Sequence, residues 1–290
     1  MSYSHIIDKV YPGKVLLFGE YTVIHGGDSV AIPLYKKTAN WDYDDLEFES
    51  RDTIDKFIDF LVLNGIGEVK LESFSKEWKK GLFLYSNIPI GYGAGSSGSL
   101  VAAIYDCFMN HTHKSTIDLR KVFIKMENYF HGSSSGLDPL VSFLGKAIHV
   151  EKDKVHQIDG DFPILDNLYL WDSGIGRKTA PLVKWYKEQL DKGMKHSVNG
   201  ELLPLNKSLI FSFLHSLEND FELAFKAVEN FQTTYLIPMF PHSIKQRLNR
   251  IKHEYSASYK LCGAGGGGFY LIYTNNKEIR NETNIIPLTN

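Results

Sequence analysis

Apolar positions along this chain favour short strands in its first half and long helices in its second. Val15–Phe18 is a compact apolar run behind Lys14. A second run, Val30–Leu34, follows the Gly26-Gly27-Asp28 turn, and strands joined by tight turns account for both. Leu46–Glu49 is a further strand candidate. Asp52 predicts the cap of a helix striped by Ile54, Phe57, Ile58, Leu61 and Val62 and stopped at Gly65. Residues 81–86 predict a strand with Leu82 and Leu84 on one face, Phe83 and Tyr85 on the other. Leu100, Ala103, Ile104, Cys107 and Phe108 recur at helical spacing. Ser115 with Asp118 predicts a capped helix whose stripe is Leu119, Val122, Phe123, Met126 and Phe130.

Beyond 165 the texture changes. The strand 168–172 runs into a polar turn reaching Thr179, and helical patterns follow at 182–190, 209–231 and 244–255. Residues 192–204 predict a linking loop, and Phe211, Phe213, Leu214, Leu217 and Phe221 a core stripe. Domains of 1–165 and 166–290 are expected, and 290 residues with 43% hydrophobic content suit two packed cores.

Charge is nearly balanced, 32 basic against 34 acidic residues, which gives no reason to expect a nucleic-acid partner. Cys107 and Cys262 lack metal-ligand spacing. With no signal-peptide core or long apolar run, the expectation is a reduced, cytoplasmic protein without a membrane partner.

Candidate chemistry concentrates at 89–103, PIGYGAGSSGSLVAA, a glycine loop between a strand and a helix start. The first amides of a helix lack intrahelical acceptors and sit at the positive end of its dipole. Gly91, Gly93, Gly95 and Gly98 let backbone close around a phosphate, Ala94 lies within the turn, and Ser96, Ser97 and Ser99 add hydroxyls. No lysine follows the glycines, so this is not a P-loop. The Gly93–Gly98 stretch satisfies G-x-G-x-x-G, but no strand ending in an acid follows, so a dinucleotide fold fails on context. A glycine turn without ligand is the alternative. Glu127 and Asp138 frame a second serine- and glycine-rich loop; alone, Glu127 reads better as a surface helix acid and Asp138 as a turn residue before proline. At 263–268, five glycines in six residues predict close contact with a ligand or another backbone.

Three motifs in order, GKVLLFGEYTVIHGG (13–27), PIGYGAGSSGSLVAA (89–103) and KLCGAGGGGFYLI (260–272), resemble those of the GHMP kinase superfamily. The resemblance implies an α+β fold of two domains, ribosomal protein S5 domain 2-like and then ferredoxin-like. It implies ATP as phosphoryl donor, Mg²⁺ as cofactor, a small alcohol as acceptor, and room for a homodimer. The stretch 127–138 is most similar to the mevalonate kinase branch. By motif, Asp138 is then catalytic with Lys14 as its cationic partner, Ser97 and Glu127 are Mg²⁺ ligands, and residues 91–99 hold ATP. Glu20, Tyr21, His25, Thr179, Gly265 and Gly266 fall on the acceptor side. Tyr21, where the branch usually has histidine, is more similar to phosphomevalonate kinases. Ser134 stands where proline is usual and Gly98 where alanine is. Sugars, homoserine and a non-catalytic sensor on the same fold remain alternatives.

Overall fold

The computed structural model describes residues 4–44, 49–111, 115–132, 134–152 and 154–289. Most of the strand expected at 46–49 lies outside the described residues, and Glu49, within them, already belongs to a helix. The chain forms two compact units, neither contiguous in sequence. The first takes the described residues up to Val15 with Ile32–Pro89 and Ala94–Ala147; the second takes Leu16–Ala31, Ile90–Gly93 and residues from Ile148 onward.

After the short helix α1 (Ser4–Ile7), strands β1 (Val10–Phe18) and β2 (Ser29–Tyr43) contribute to both units. The apolar run at 30–34 thus opens a strand of 15 residues, longer than its hydrophobic signal. Within the first unit, Ala39–Tyr43 pair antiparallel with β3 (Leu82–Ser86). Helices α2 (Glu49–Leu63), α3 (Leu71–Trp78), α4 (Ser96–Phe108), α5 (Thr116–His131) and α6 (Leu137–Leu144) complete it. Asp52 does not cap α2, which begins three residues earlier; it holds Lys56 one turn on at 2.6 Å. The Ser115 cap forms as expected: its Oγ accepts from the Asp118 amide at 3.1 Å. Helix α4 packs on α6 and is buried on more than one stripe, with Val101, Ala102, Ala103, Ile104, Tyr105 and Phe108 all inside. Small residues on α4 permit that close approach.

In the second unit, Ser29–Ala31 pair with β4 (Ala147–Glu151), which is followed by β5 (Lys154–Ile158). Residues 22–25 make a 3₁₀ turn instead of continuing β1, because Tyr21 takes a left-handed φ of 63°. A four-stranded antiparallel sheet follows the order β7 (Ser258–Leu261), β8 (Phe269–Tyr273), β6 (Leu168–Asp172), β9 (Ile285–Pro287). The strands β6 and β8 read as nearly continuous apolar runs, and Tyr169, Trp171, Tyr259, Leu261, Tyr270 and Ile272 fall in one cluster.

The helices are α7 (Thr179–Gln189), α8 (Lys195–Ser197), α9 (Leu203–Leu214), α10 (Glu218–Tyr235) and α11 (His242–Glu254). The expected loop at 192–204 is instead π-helical and α-helical turns kinked at Gly193, since Val198 and Leu202, one turn apart, are both buried. The expected 209–231 helix breaks at Ser216, φ 53°. Of the expected stripe, Phe211 and Leu217 are exposed while Phe213 and Phe221 are in the core. No helix among the described residues is long and apolar enough to cross a membrane.

Candidate functional site

The first unit brings together Lys14, Ser97, Glu127 and Asp138, which lie up to 124 positions apart in sequence. Lys14, on β1 and largely buried, places its Nζ 2.7 Å from Asp138 Oδ1. Its backbone amide donates to the Ala94 carbonyl at 2.8 Å, which ties β1 to the glycine loop. Asp138 sits in the first turn of α6 behind Gly136, which adopts a left-handed φ of 68°. A carboxylate there is favoured by the helix dipole. Gly95, φ 79°, precedes α4, and a Cβ on it would stand 3.3 Å from Lys14 Cβ and 3.6 Å from Asp138 Oδ2. The start of α4, whose first amides lack intrahelical acceptors, is therefore beside the ion pair.

Glu127, on α5, is buried next to them. Its Oε1 accepts from Ser97 Oγ at 3.4 Å, and its Oε2 accepts from Ser134 Oγ. Ser97 Oγ also meets His131 Nε2 at 2.9 Å. Burial, and then the negative charge of Asp138, pushes the Glu127 carboxyl up to about 7; Ser134, Lys14 and Ser97 pull the other way. Two acids and a hydroxyl supply hard oxygen donors, and a divalent cation would relieve the repulsion that raises Glu127. This donor set fits Mg²⁺, which binds through one or two carboxylates and completes its shell with water and phosphate.

Ser99 is not free to meet a phosphate. It is buried, and its Oγ donates within a pair of acceptors, Pro12 O and Gly95 O, each at 3.1 Å. It staples the loop. Gly98 also has a packing reason. A Cβ there would fall 2.7 Å from Asp138 Cβ and 2.9 Å from Pro139 N. In an ordinary helix Gly98→Ala would gain about 1 kcal/mol, but here overpacking, typically costing about 1–3 kcal/mol, wins. We expect Gly98→Ala to lower the melting temperature; a variant more stable than the parent in thermal unfolding would refute this packing account.

The remaining expected residues lie in the second unit. Gly91 and Gly93, φ 80° and 71°, lie against Arg177, whose amide donates to Gly91 O at 3.3 Å. Sequence reasoning left Arg177 out of the site. Its guanidinium donates to the carbonyls of Gly265 and Gly267 at 3.2 and 3.4 Å, its Nε is buried without a partner, and burial lowers its pKa. Its sequence signal was its place in the 172–179 turn, a segment similar to D-T-x-x-x-R-x-T in the family, of which only Thr179 entered the expected site. Gly265 and Gly266 are packed against backbone or side chain: added Cβ atoms would meet Met239 Cβ at 2.6 Å and Leu182 Cδ1 at 2.8 Å. For the 263–268 loop, close packing within the unit accounts for the glycines.

Tyr21 Oη donates to Ala264 O at 2.7 Å, and His25 Nε2 meets Tyr186 Oη at 2.8 Å. Thr179 is exposed at the start of α7. Glu20, expected on the acceptor side, has a partner of its own. It is buried, and its Oε1 accepts from Lys260 Nζ at 2.8 Å. Lys260 spends its other donors on Leu17 O and Leu261 O at 2.8 and 2.7 Å. Burial pushes the Glu20 pKa upward, and the ammonium pulls it back. Lys260→Met strands a buried carboxylate and should cost about 3–5 kcal/mol in denaturant unfolding, whereas adding Glu20→Gln should recover most of it. A silent Lys260→Met would reject the pair as structural.

Comparisons with known proteins agree with this architecture. Residues 64–146 match the GHMP kinases N terminal domain. The chain is 23% identical over 286 residues to a mevalonate kinase of Pyrococcus abyssi, spanning 89% of this chain and 85% of that protein. It is similar to the crystal structure of the Methanococcus jannaschii mevalonate kinase, TM-score 0.62 at 21% identity, over 96% and 95% of the two chains. It is also similar to Lactococcus lactis galactokinase complexed with galactose, TM-score 0.65 at 15% identity, over 95% and 88%.

Proposed function

We propose that this chain, which has the GHMP kinase fold and that family's N-terminal signature, transfers the γ-phosphoryl group of ATP to the primary hydroxyl of mevalonate. The observation that carries the reading is the Lys14–Asp138 pair at 2.7 Å, set beside Gly95 and the start of α4. An alcohol is a poor nucleophile at neutral pH, so a carboxylate must accept or orient its proton. Asp138 is available for that: a quarter of its side chain is open to solvent, while Lys14 is nearly enclosed. Lys14 holds that carboxylate in place and offers positive charge to the oxygens where charge develops. The amides opening α4 would face phosphate oxygens. Ser97 and Glu127 would hold Mg²⁺, which when bound neutralises phosphate charge. Phosphoryl transfer otherwise depends chiefly on positioning.

Mevalonate as acceptor rests on the mevalonate kinases among the relatives and on the 127–138 motif. The Tyr21 clue toward phosphomevalonate is weaker, because its hydroxyl already bonds to Ala264 O. Division into an S5-like domain, 1–165, and a ferredoxin-like domain, 166–290, belongs to the same proposal, as does a cytoplasmic setting. The test is ADP release with Mg·ATP across mevalonate, phosphomevalonate, galactose and homoserine. Saturable turnover with mevalonate alone supports the reading. Turnover only with another alcohol reassigns the acceptor, and silence with retained ATP binding favours the sensor.

A further inference from the structure

Ser134 occupies the position where mevalonate kinase-like sequences usually carry proline, so its hydroxyl is an added group at the edge of the site. Its bonding is directional. The Gly136 amide donates to Ser134 Oγ at 2.9 Å, which engages a lone pair, and the hydroxyl in turn donates to Glu127 Oε2. Glu127 Oε1 is left facing Ser97 Oγ at 3.4 Å. Gly136 is the residue from which α6 starts, and Asp138 lies in its first turn. One hydroxyl therefore links the Glu127 carboxylate on α5 to the backbone turn that carries Asp138.

We propose that Ser134 is a positioning residue that holds one oxygen of Glu127 so that the other is presented to a divalent cation shared with Ser97. The inference rests on the reading of Glu127 as a metal ligand. A carboxylate can rotate about its last side-chain bond, which leaves open which of its oxygens faces a cation. A hydroxyl whose own acceptor side is fixed by a backbone N–H removes that rotational choice. Partners that orient a metal ligand typically contribute 10–100-fold to metal affinity. Proline, with neither hydroxyl nor amide proton, could not. The serine supplies in this chain an orienting contact that the usual motif residue does not.

The test is titration of Mn²⁺ into the full chain saturated with β,γ-imido ATP, read by calorimetry with no turnover. Ser134→Ala should weaken Mn²⁺ binding about tenfold. Ser134→Thr, which keeps the hydroxyl, should remain within about threefold of the parent. Thermal unfolding of the metal-free variants checks that each is folded. If Glu127→Gln weakens Mn²⁺ binding but Ser134→Ala does not, the positioning role is overturned and the metal reading stands. If Glu127→Gln binds Mn²⁺ as the parent does, the metal reading itself fails and the proposal goes with it. Equal losses in the alanine and threonine variants would mark Ser134 as a packing residue and overturn the proposal.

Discussion

Asp138→Asn is expected to lower turnover with Mg·ATP and mevalonate by ~10²–10⁴-fold while the protein stays folded and still binds ATP. Asparagine preserves the shape of the side chain and its place in the first turn of α6, so packing is retained. It removes the group that would accept or orient the acceptor's proton, and it deprives Lys14 of its counter-charge at 2.7 Å. The stability loss should be modest, about 1 kcal/mol. Asp138 is a quarter exposed, so the stranded Lys14 can be partly solvated, well short of the ~3–5 kcal/mol for breaking an enclosed pair. Steady-state ADP release, with circular dichroism as the folding control, decides it. Turnover near that of the parent would remove Asp138 from the chemistry.

The elements that positioned this pair were visible in the sequence to different degrees. The glycine loop, the Ser115 cap and the helix behind the loop follow from local rules, because each depends on residues within one or two turns. What could not be read locally are the pairings between distant positions. Glu20 and Lys260 lie 240 residues apart, and neither carries a pattern that names the other. Ser99 looked like its neighbours Ser96 and Ser97, yet only the fold shows that Pro12 O claims its hydroxyl. Gly265 and Gly266 lie in a loop expected to touch a ligand or another backbone, and the structure sets them against Met239 and Leu182. The kinked turns at 192–204 were missed because polar composition suggested a loop, while burial of Val198 and Leu202 outweighed the helix-breaking glycines at 193 and 200. Ordinary motif reading marks a residue type. Burial and direction, which decide whether that residue serves chemistry or packing, are set by the whole fold.

Glu127→Gln should separate function from stability most sharply. In the metal-free protein the Glu127 carboxyl is pushed up to about 7 by burial and by Asp138. An acid with a raised native pKa favours folding in its protonated form. That contribution is complete below the unfolded pKa of about 4.5, and it is lost progressively as pH rises toward about 7. At pH 8 the ionised carboxylate is then a burden of up to ~3 kcal/mol, at ~1.4 kcal/mol per pKa unit. Glutamine carries no charge at any pH. Its carbonyl can accept from Ser134 Oγ, and its amide can donate to Ser97 Oγ, whose own proton can turn to His131 Nε2. Metal-free Glu127→Gln should therefore be more stable than the parent by about 1–3 kcal/mol at pH 8 and nearly equal to it at pH 4.5. Turnover should fall by ~10²-fold or more, because a metal ion's charge stabilisation is worth several kcal/mol. Urea unfolding in EDTA at the two pH values, set beside ADP release, measures both halves. A variant equally destabilised at both pH values would show that Glu127 supports the fold through packing alone, and its burial would then need no metal to explain it.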